Sequence, residues 1–203
     1  MLKLFKDART AKLVNALRSG DRETLNRLAK KFTPEQLTQP LTDNLNALEI
    51  ALQAGQPAAL LWVIEQLPEH SQRDRDQVPY LLRSLQHESE SLALITALLQ
   101  AGFDASISHD ERSLLEWCFE HCEPQTLMLH LSRLTQHGAT LENTEVLVIR
   151  ALEREDQACV NYLISSGAPL PAELDQVQCS DALRSYARRC ADDKKIREMM
   201  LGR

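Results

Sequence analysis

Between Thr144 and Pro171 the apolar positions fall into two short runs, Val146 to Leu152 and Ala158 to Ile164. The charged tetrapeptide Glu153-Arg154-Glu155-Asp156 separates them, and Ser165-Ser166-Gly167 closes the second. Such runs predict two short helices joined by a tight polar turn, with glycine as the stop signal. Neither helix can bury its apolar stripe alone, so the unit requires neighbours of its own kind.

The chain supplies them. The pair Ala151-Leu152, with Val148 three residues earlier, recurs as Ala16-Leu17, Ala51-Leu52, Ser84-Leu85 and Cys118-Phe119. Each of these has a leucine three residues upstream: Leu13, Leu48, Leu81 and Leu115. The interval from one pair to the next stays between 33 and 35 residues. A small residue recurs at the head of the pair because adjacent helices must approach closely there.

A period near 33 with two helices per unit is that of the ankyrin repeat. The unit endings agree. Leu163-Ile164-Ser165-Ser166-Gly167-Ala168 resembles the family's LLxxGA, and Leu98-Leu99-Gln100-Ala101-Gly102-Phe103-Asp104 its longer form LLxxGxD. Leu134-Thr135-Gln136-His137-Gly138-Ala139 keeps part of the same ending, and Ala51 and Gly55 match the family's first helix. The resemblance implies an all-α solenoid of stacked antiparallel helix pairs in one domain over 1–203. Its repeats would span about 10–43, 44–77, 78–110, 111–142 and 143–171. A different helical-pair solenoid is the alternative, because no unit carries the family's Thr-Pro-Leu-His. Asn46-Ala47-Leu48-Glu49 stands at that place in the second unit, and Arg112-Ser113-Leu114-Leu115 just before it in the fourth.

Other segments have their own signals. Residues 1–9 read as a short basic lead, and Thr33-Pro34-Glu35-Gln36 as a capping box. Trp62 is expected in the core, and residues 68–77 as a solvated loop. Pro124 suits the first turn of a helix. The distance from landmark to closing glycine is larger in the third and fourth units, predicting second helices longer by up to a turn. After Pro169 and Pro171, Ser180-Asp181 opens a helix over 180–200 with Leu183, Ala187 and Cys190 on one face. That helix would cap the stack.

Composition fits stacked helices: aromatics are 4% of residues and there are only six glycines, too few for the turns of an all-β fold. Charge interrupts the N-terminus before any signal-like apolar stretch, and no apolar run is long enough to span a membrane. Five cysteines at irregular spacing, Cys118, Cys122, Cys159, Cys179 and Cys190, read as reduced thiols in a cytoplasmic protein.

Candidate chemistry is thin. Cys118, His121, Cys122 and Glu123 have metal-ligand types, but zinc needs ligands converging from two places and no CxxC or HxxxH partner exists. His109-Asp110-Glu111 reads as helix capping rather than acid–base machinery. No phosphate loop, GxSxG or HExxH occurs, so no enzyme, metal or cofactor is expected.

Charge says more. Residues 1–31 carry nine Lys/Arg against three Asp/Glu, residues 182–203 seven against three, and residues 32–181 seven against 23. An acidic body disfavours nucleic acid. It either steers a basic partner or keeps the chain soluble.

Helical phase points Arg150 and Arg154 away from the stripe of Val148, Ala151 and Leu152. The resemblance makes that outward side a concave binding groove. The matching positions are Ile50 and Gln53, Arg83 and His87, and Trp117, Glu120 and His121. Trp117 is either exposed there as an anchor or tucked against a neighbouring helix. The expected function is therefore a monomeric, non-catalytic scaffold or adaptor that binds a partner protein through its concave face. A regulatory or inhibitory subunit acting on a partner enzyme is the alternative, and an enzyme with an acidic pocket a more distant one.

Overall fold

A computed structural model describes residues 2–142 and 144–202, with backbone only for residues 2–7. The chain divides into two compact units, Met1–Cys122 and Glu123–Arg203. The first holds α1 (Leu2–Ser19), α2 (Arg22–Leu28), α3 (Pro34–Thr38), α4 (Ala47–Gln53), α5 (Pro57–Gln66), α6 (Tyr80–Leu85), α7 (Ser91–Gln100), the two-residue strands β1 (Ser108–His109) and β2 (Arg112–Ser113), and α8 (Leu114–His121). The second holds α9 (Pro124–Gln136), α10 (Glu145–Glu153), α11 (Gln157–Ser165) and α12 (Asp181–Met200).

Within the first unit, first helices pack on first helices, α1 on α4 and α6 on α8, and second helices on second, α2 on α5 and α5 on α7. All five landmark residues are buried: Ala16 is 4% exposed, and Ala51, Ser84, Cys118 and Ala151 not at all. Ser84 is tolerated inside because its hydroxyl donates to the Tyr80 carbonyl at 2.9 Å, satisfying the one polar group it brings. Trp62 is 1% exposed.

The repeat is also legible in the turns. After the first helix of three pairs, the residue five beyond the landmark returns its N–H to the landmark carbonyl. These bonds run from Asp21 to Ala16, Gln56 to Ala51 and Asp156 to Ala151, at 3.0–3.1 Å. The residue between is left-handed in each case: Gly20, Gly55 and Glu155. The closing Leu-x-x-x-Gly turns repeat the pattern. Phe103, Ala139 and Ala168 donate to Leu98, Leu134 and Leu163, with Gly102, Gly138 and Gly167 at positive φ. This is the Schellman ending, in which glycine adopts the left-handed conformation and the next apolar residue turns inward. Phe103, Ala139 and Ala168 are accordingly buried. Glu155 takes the glycine's place without a glycine's freedom. Its carboxylate accepts the N–H and O–H of Ser180, the residue that caps α12, which offsets the backbone cost.

Asn46 caps α4 and Ser113 caps α8, each in a full capping box closed by Glu49 or Glu116. These are the places of the missing Thr and His. A cap of this kind is worth about 1 kcal/mol. Thr33 and Gln36 form the expected box at α3, and Pro124 lies in the first turn of α9. The hairpins before α4 and α8 have two central residues at positive φ, Asp43-Asn44 and Asp110-Glu111, the type I′ geometry that matches strand twist.

Several expectations are corrected. Helix α1 begins at Leu2, so the basic lead is part of the first helix. Most of the extra length of the third unit lies in the segment Gln86 to Glu90 between α6 and α7, since α7, with ten residues, equals α5 and exceeds α11 by only one. Among the second helices of the pairs, α9, with 13 residues, is the one longer by about a turn. Asp110 and Glu111 form a hairpin tip and do not cap α8, because the turn leaves Ser113 to do so.

The polar segment 68–77 is not simply solvated. Asp74 is buried, and its Oδ1 accepts the N–H groups of Asp76 and Val78 at 2.9 Å. Arg73 donates to the carbonyls of Gln77 at 2.7 Å and Ser108 at 2.6 Å, and Arg75 to that of Asn44 at 2.7 Å. Two arginines thus tie this loop to the hairpins on either side of it.

In the second unit, α10 packs on α11 and α11 on α12. Leu183, Ala187 and Cys190 are buried, as the sequence expects of a capping helix.

Candidate functional site

The candidate residues divide between the two units. In the first, α4 is only seven residues long and packs against α1, α3 and α5, with five of its residues buried. Ile50 is among them at 2% exposure. It belongs to the core and is withdrawn as a contact residue, whereas Gln53 at the end of the same helix is exposed. The outward phase has less room on so short a helix, because its neighbours cover most of its circumference.

Arg83 is already engaged. Its Nε donates to Asp74 Oδ2 at 2.7 Å, and a second nitrogen lies 3.6 Å from Asp76. Breaking a bond to a buried carboxylate is costly, so Arg83 holds the 72–79 loop. His87 is half-buried. Its Nδ1 accepts the Glu90 N–H at 3.2 Å, and the other side of the ring lies over Gly55, 2.7 Å from where a Cβ would stand. It packs one inter-helix turn onto the preceding one.

The strongest feature of the face is at α8. Trp117 is half-buried, and its indole N–H donates to the His109 carbonyl at 3.3 Å. The Arg112 guanidinium lies over the indole at 4.0 Å from the ring centre, and His121 stacks on it at 5.6 Å with ring planes 14° apart. Glu120 binds the same guanidinium through both oxygens. That bond, with the charge of Glu120, raises the Arg112 pKa, which holds the guanidinium in its charged form. Cation–π contact at a surface site is worth about 0.5–1 kcal/mol, and a bidentate pair fixes the orientation of the fork. The cluster presents an aromatic edge, two imidazoles and a locked ion pair on one rigid frame.

Sequence reasoning identified Trp117, Glu120 and His121 but not Arg112 or His109. Five residues before Trp117, Arg112 would be out of reach along a continuous helix. It arrives because the chain leaves the helix at Ser113 and folds back through the β1–β2 hairpin. Asp110-Glu111 is a weak hairpin signal beside Asn-Gly, so the sequence offered little to find it.

In the second unit Arg150 is half-buried and Arg154 exposed, at opposite ends of the last turn of α10. Among the described residues no group of three or more His, Cys, Asp or Glu side chains is placed to hold a metal, and no helix is long and apolar enough to cross a membrane. Burial raises the Cys118 thiol pKa well above its usual value, with further contributions from Cys122. Burial likewise raises that of Cys159, to about 12. Neither is a poised thiolate.

No protein-family model and no curated protein matches this sequence. Among solved structures, the chain is similar to the ankyrin repeat domain of Bcl-3, a unique member of the IkappaB protein family. The match covers 87% of this chain and 97% of that one, at a TM-score of 0.60 and 18% identity. At that identity the likeness establishes the fold, an all-α, ankyrin-like stack of helix pairs.

Proposed function

From an ankyrin-repeat fold as premise, we propose that the protein is a non-catalytic interaction module, a cytoplasmic monomer, that binds a partner protein through the outward side of its first helices. The Trp117 cluster carries this reading. Tryptophan and arginine are the residue types that most often anchor interfaces. Here an ion pair and a backbone hydrogen bond hold the indole in place, so little side-chain freedom is lost on binding. The acidic residues of the central chain add steering toward a partner with basic character and set the salt dependence of association. The concave placement rests on the family resemblance.

The test is affinity purification from the native host with mass spectrometry, followed by titration of the recovered partner with purified variants. Trp117→Ala and Arg112→Ala are expected to cost about 2 kcal/mol or more each, about 30-fold in affinity. Charge reversals at Lys30 and Lys194 are expected to change mainly the association rate. Intact affinity in the α8 variants, with binding abolished by the reversals, would assign recognition to the basic ends instead.

A further inference from the structure

Two of the chain's six histidines converge on one side chain. His121 stacks on the Trp117 indole from α8 itself. His109 reaches it from β1, with ring centres 6.3 Å apart and planes at 42° to each other. The backbone carbonyl of His109 also accepts the indole N–H, so one residue both orients the indole and sets an ionisable ring beside it. An imidazole is the side chain that changes charge between about pH 5 and pH 8. Water reaches both rings: His121 is exposed, and the His109 side chain is 22% exposed.

The carboxylates around this pair are not equally free. Glu120 is bound through both oxygens to Arg112, and Glu116 is taken up by the N–H and O–H of Ser113. Asp110 and Glu111, exposed at the hairpin tip, are left to meet the cations of a partner. The Asp110 carboxylate lies 3.6 Å from Nε2 of His109. Beside the hairpin, Arg73 donates to the carbonyls of Gln77 and Ser108. On α6, which packs on α8, Arg83 is held by Asp74 and Asp76, and His87 by the Glu90 N–H. The Cys122 thiol follows His121 at the end of α8.

We infer that His109 and His121 form a pH gate on the Trp117 site, which admits a partner of basic character near neutral pH and releases it on acidification. The inference rests on the docking reading above. With both rings neutral, Asp110 and Glu111 face the partner's Lys and Arg side chains. A proton on His109 turns its contact with Asp110 into an ion pair and withdraws that carboxylate from the partner. A proton on His121 sets a second cation on the indole, over which the Arg112 guanidinium already lies at 4.0 Å, and like charge across an interface opposes binding. Two added charges about 6 Å from a partner's cation in wet surroundings amount to about a tenfold loss of affinity. Binding is thus complete where the imidazoles are neutral and is lost as pH falls and they gain protons.

The gate is read first on the full chain without a partner. Subtracting the emission of Trp117→Phe from that of the wild type isolates Trp117, since Trp62 is buried and common to both. Quenching of that signal by caesium, iodide and acrylamide is measured between about pH 8 and about pH 5, with circular dichroism to show that the fold is unchanged. Relative to neutral acrylamide, caesium should quench less and iodide more as pH falls, each by about twofold. His109→Gln combined with His121→Gln should abolish that change. His70→Gln, whose ring stacks on Phe103 instead, should preserve it. The partner recovered by affinity purification is then titrated at both ends of the pH range. Wild-type affinity should fall about tenfold on acidification, and that of the double variant by about twofold at most. Constant quenching ratios, wild-type affinity that does not fall, or a full pH response in the double variant would overturn the gate and leave the docking reading standing. Partner affinity indifferent to Trp117→Ala at about pH 8 would overturn the docking reading, and the gate with it.

Discussion

Gly55→Ala should be one of the most damaging single-methyl additions in this chain, and the reason can be dissected. Gly55 sits at φ +64°, and a Cβ there would stand 2.7 Å from Cε1 and Nε2 of His87. The left-handed conformation costs an L-residue roughly 1–2 kcal/mol. The ring cannot swing away freely, because its Nδ1 holds the Glu90 N–H, so overpacking adds roughly 1–3 kcal/mol. The expected loss is about 2–5 kcal/mol. Gly20→Ala is the natural control. It has the same conformation, at φ +68°, but its nearest neighbour is the end of the flexible Gln56 side chain, so only the conformational cost of about 1–2 kcal/mol remains. In a His87→Ala background Gly55→Ala should fall most of the way to that value, the remaining close neighbour being the flexible Glu90 side chain with its Cγ at 3.2 Å, which corresponds to an interaction energy of about 1–3 kcal/mol. Both tryptophans, Trp62 and Trp117, lie in the first unit, so urea unfolding followed by tryptophan fluorescence reports on the affected part of the chain. If Gly55→Ala costs as much without the His87 ring as with it, the stacking of one turn on the next is not what limits this position.

Ala151→Arg places a long cation at a fully buried landmark and should destabilise the second unit by more than the roughly 1–3 kcal/mol of overpacking alone; an unchanged midpoint by circular dichroism would show that the site tolerates it. Stability should fall as pH rises from about 9 toward about 12. The thiol of Cys159 and the phenol of Tyr80 are both raised to about 12 by burial, so in that range the unfolded chain releases protons that the folded one retains. Cys159→Ala should reduce the slope of the lower part of the curve, to which the buried Cys118 thiol also contributes, and a flat wild-type profile would refute the linkage. Cys118 and Cys159 should resist a thiol reagent until the chain unfolds, and elemental analysis should find no stoichiometric zinc lost on replacing Cys118 or Cys122.

Much of the fold is written locally. The single helices, the Schellman endings at Gly102, Gly138 and Gly167, the Thr33 box and the Ser180 cap each depend on residues close to one another in the chain, and the period is the recurrence of those local signals. Short-range hydrogen bonding and helical phase are enough to specify them. Burial of the landmark positions follows from the same repeat, since a small residue on every apolar stripe leaves neighbours one way to approach. What the sequence could not decide involves partners brought together by folding. Ile50 is outward by phase but enclosed, because α1, α3 and α5 surround so short a helix. Arg83 is drawn from the expected face to Asp74, a residue nine positions away in a loop that reads as merely polar. The Trp117 cluster forms only once a hairpin with an unremarkable turn sequence folds Arg112 and His109 back onto α8. In each case the deciding term is the desolvation or pairing of a particular group, and that depends on which atoms the tertiary structure places within about 4 Å of it.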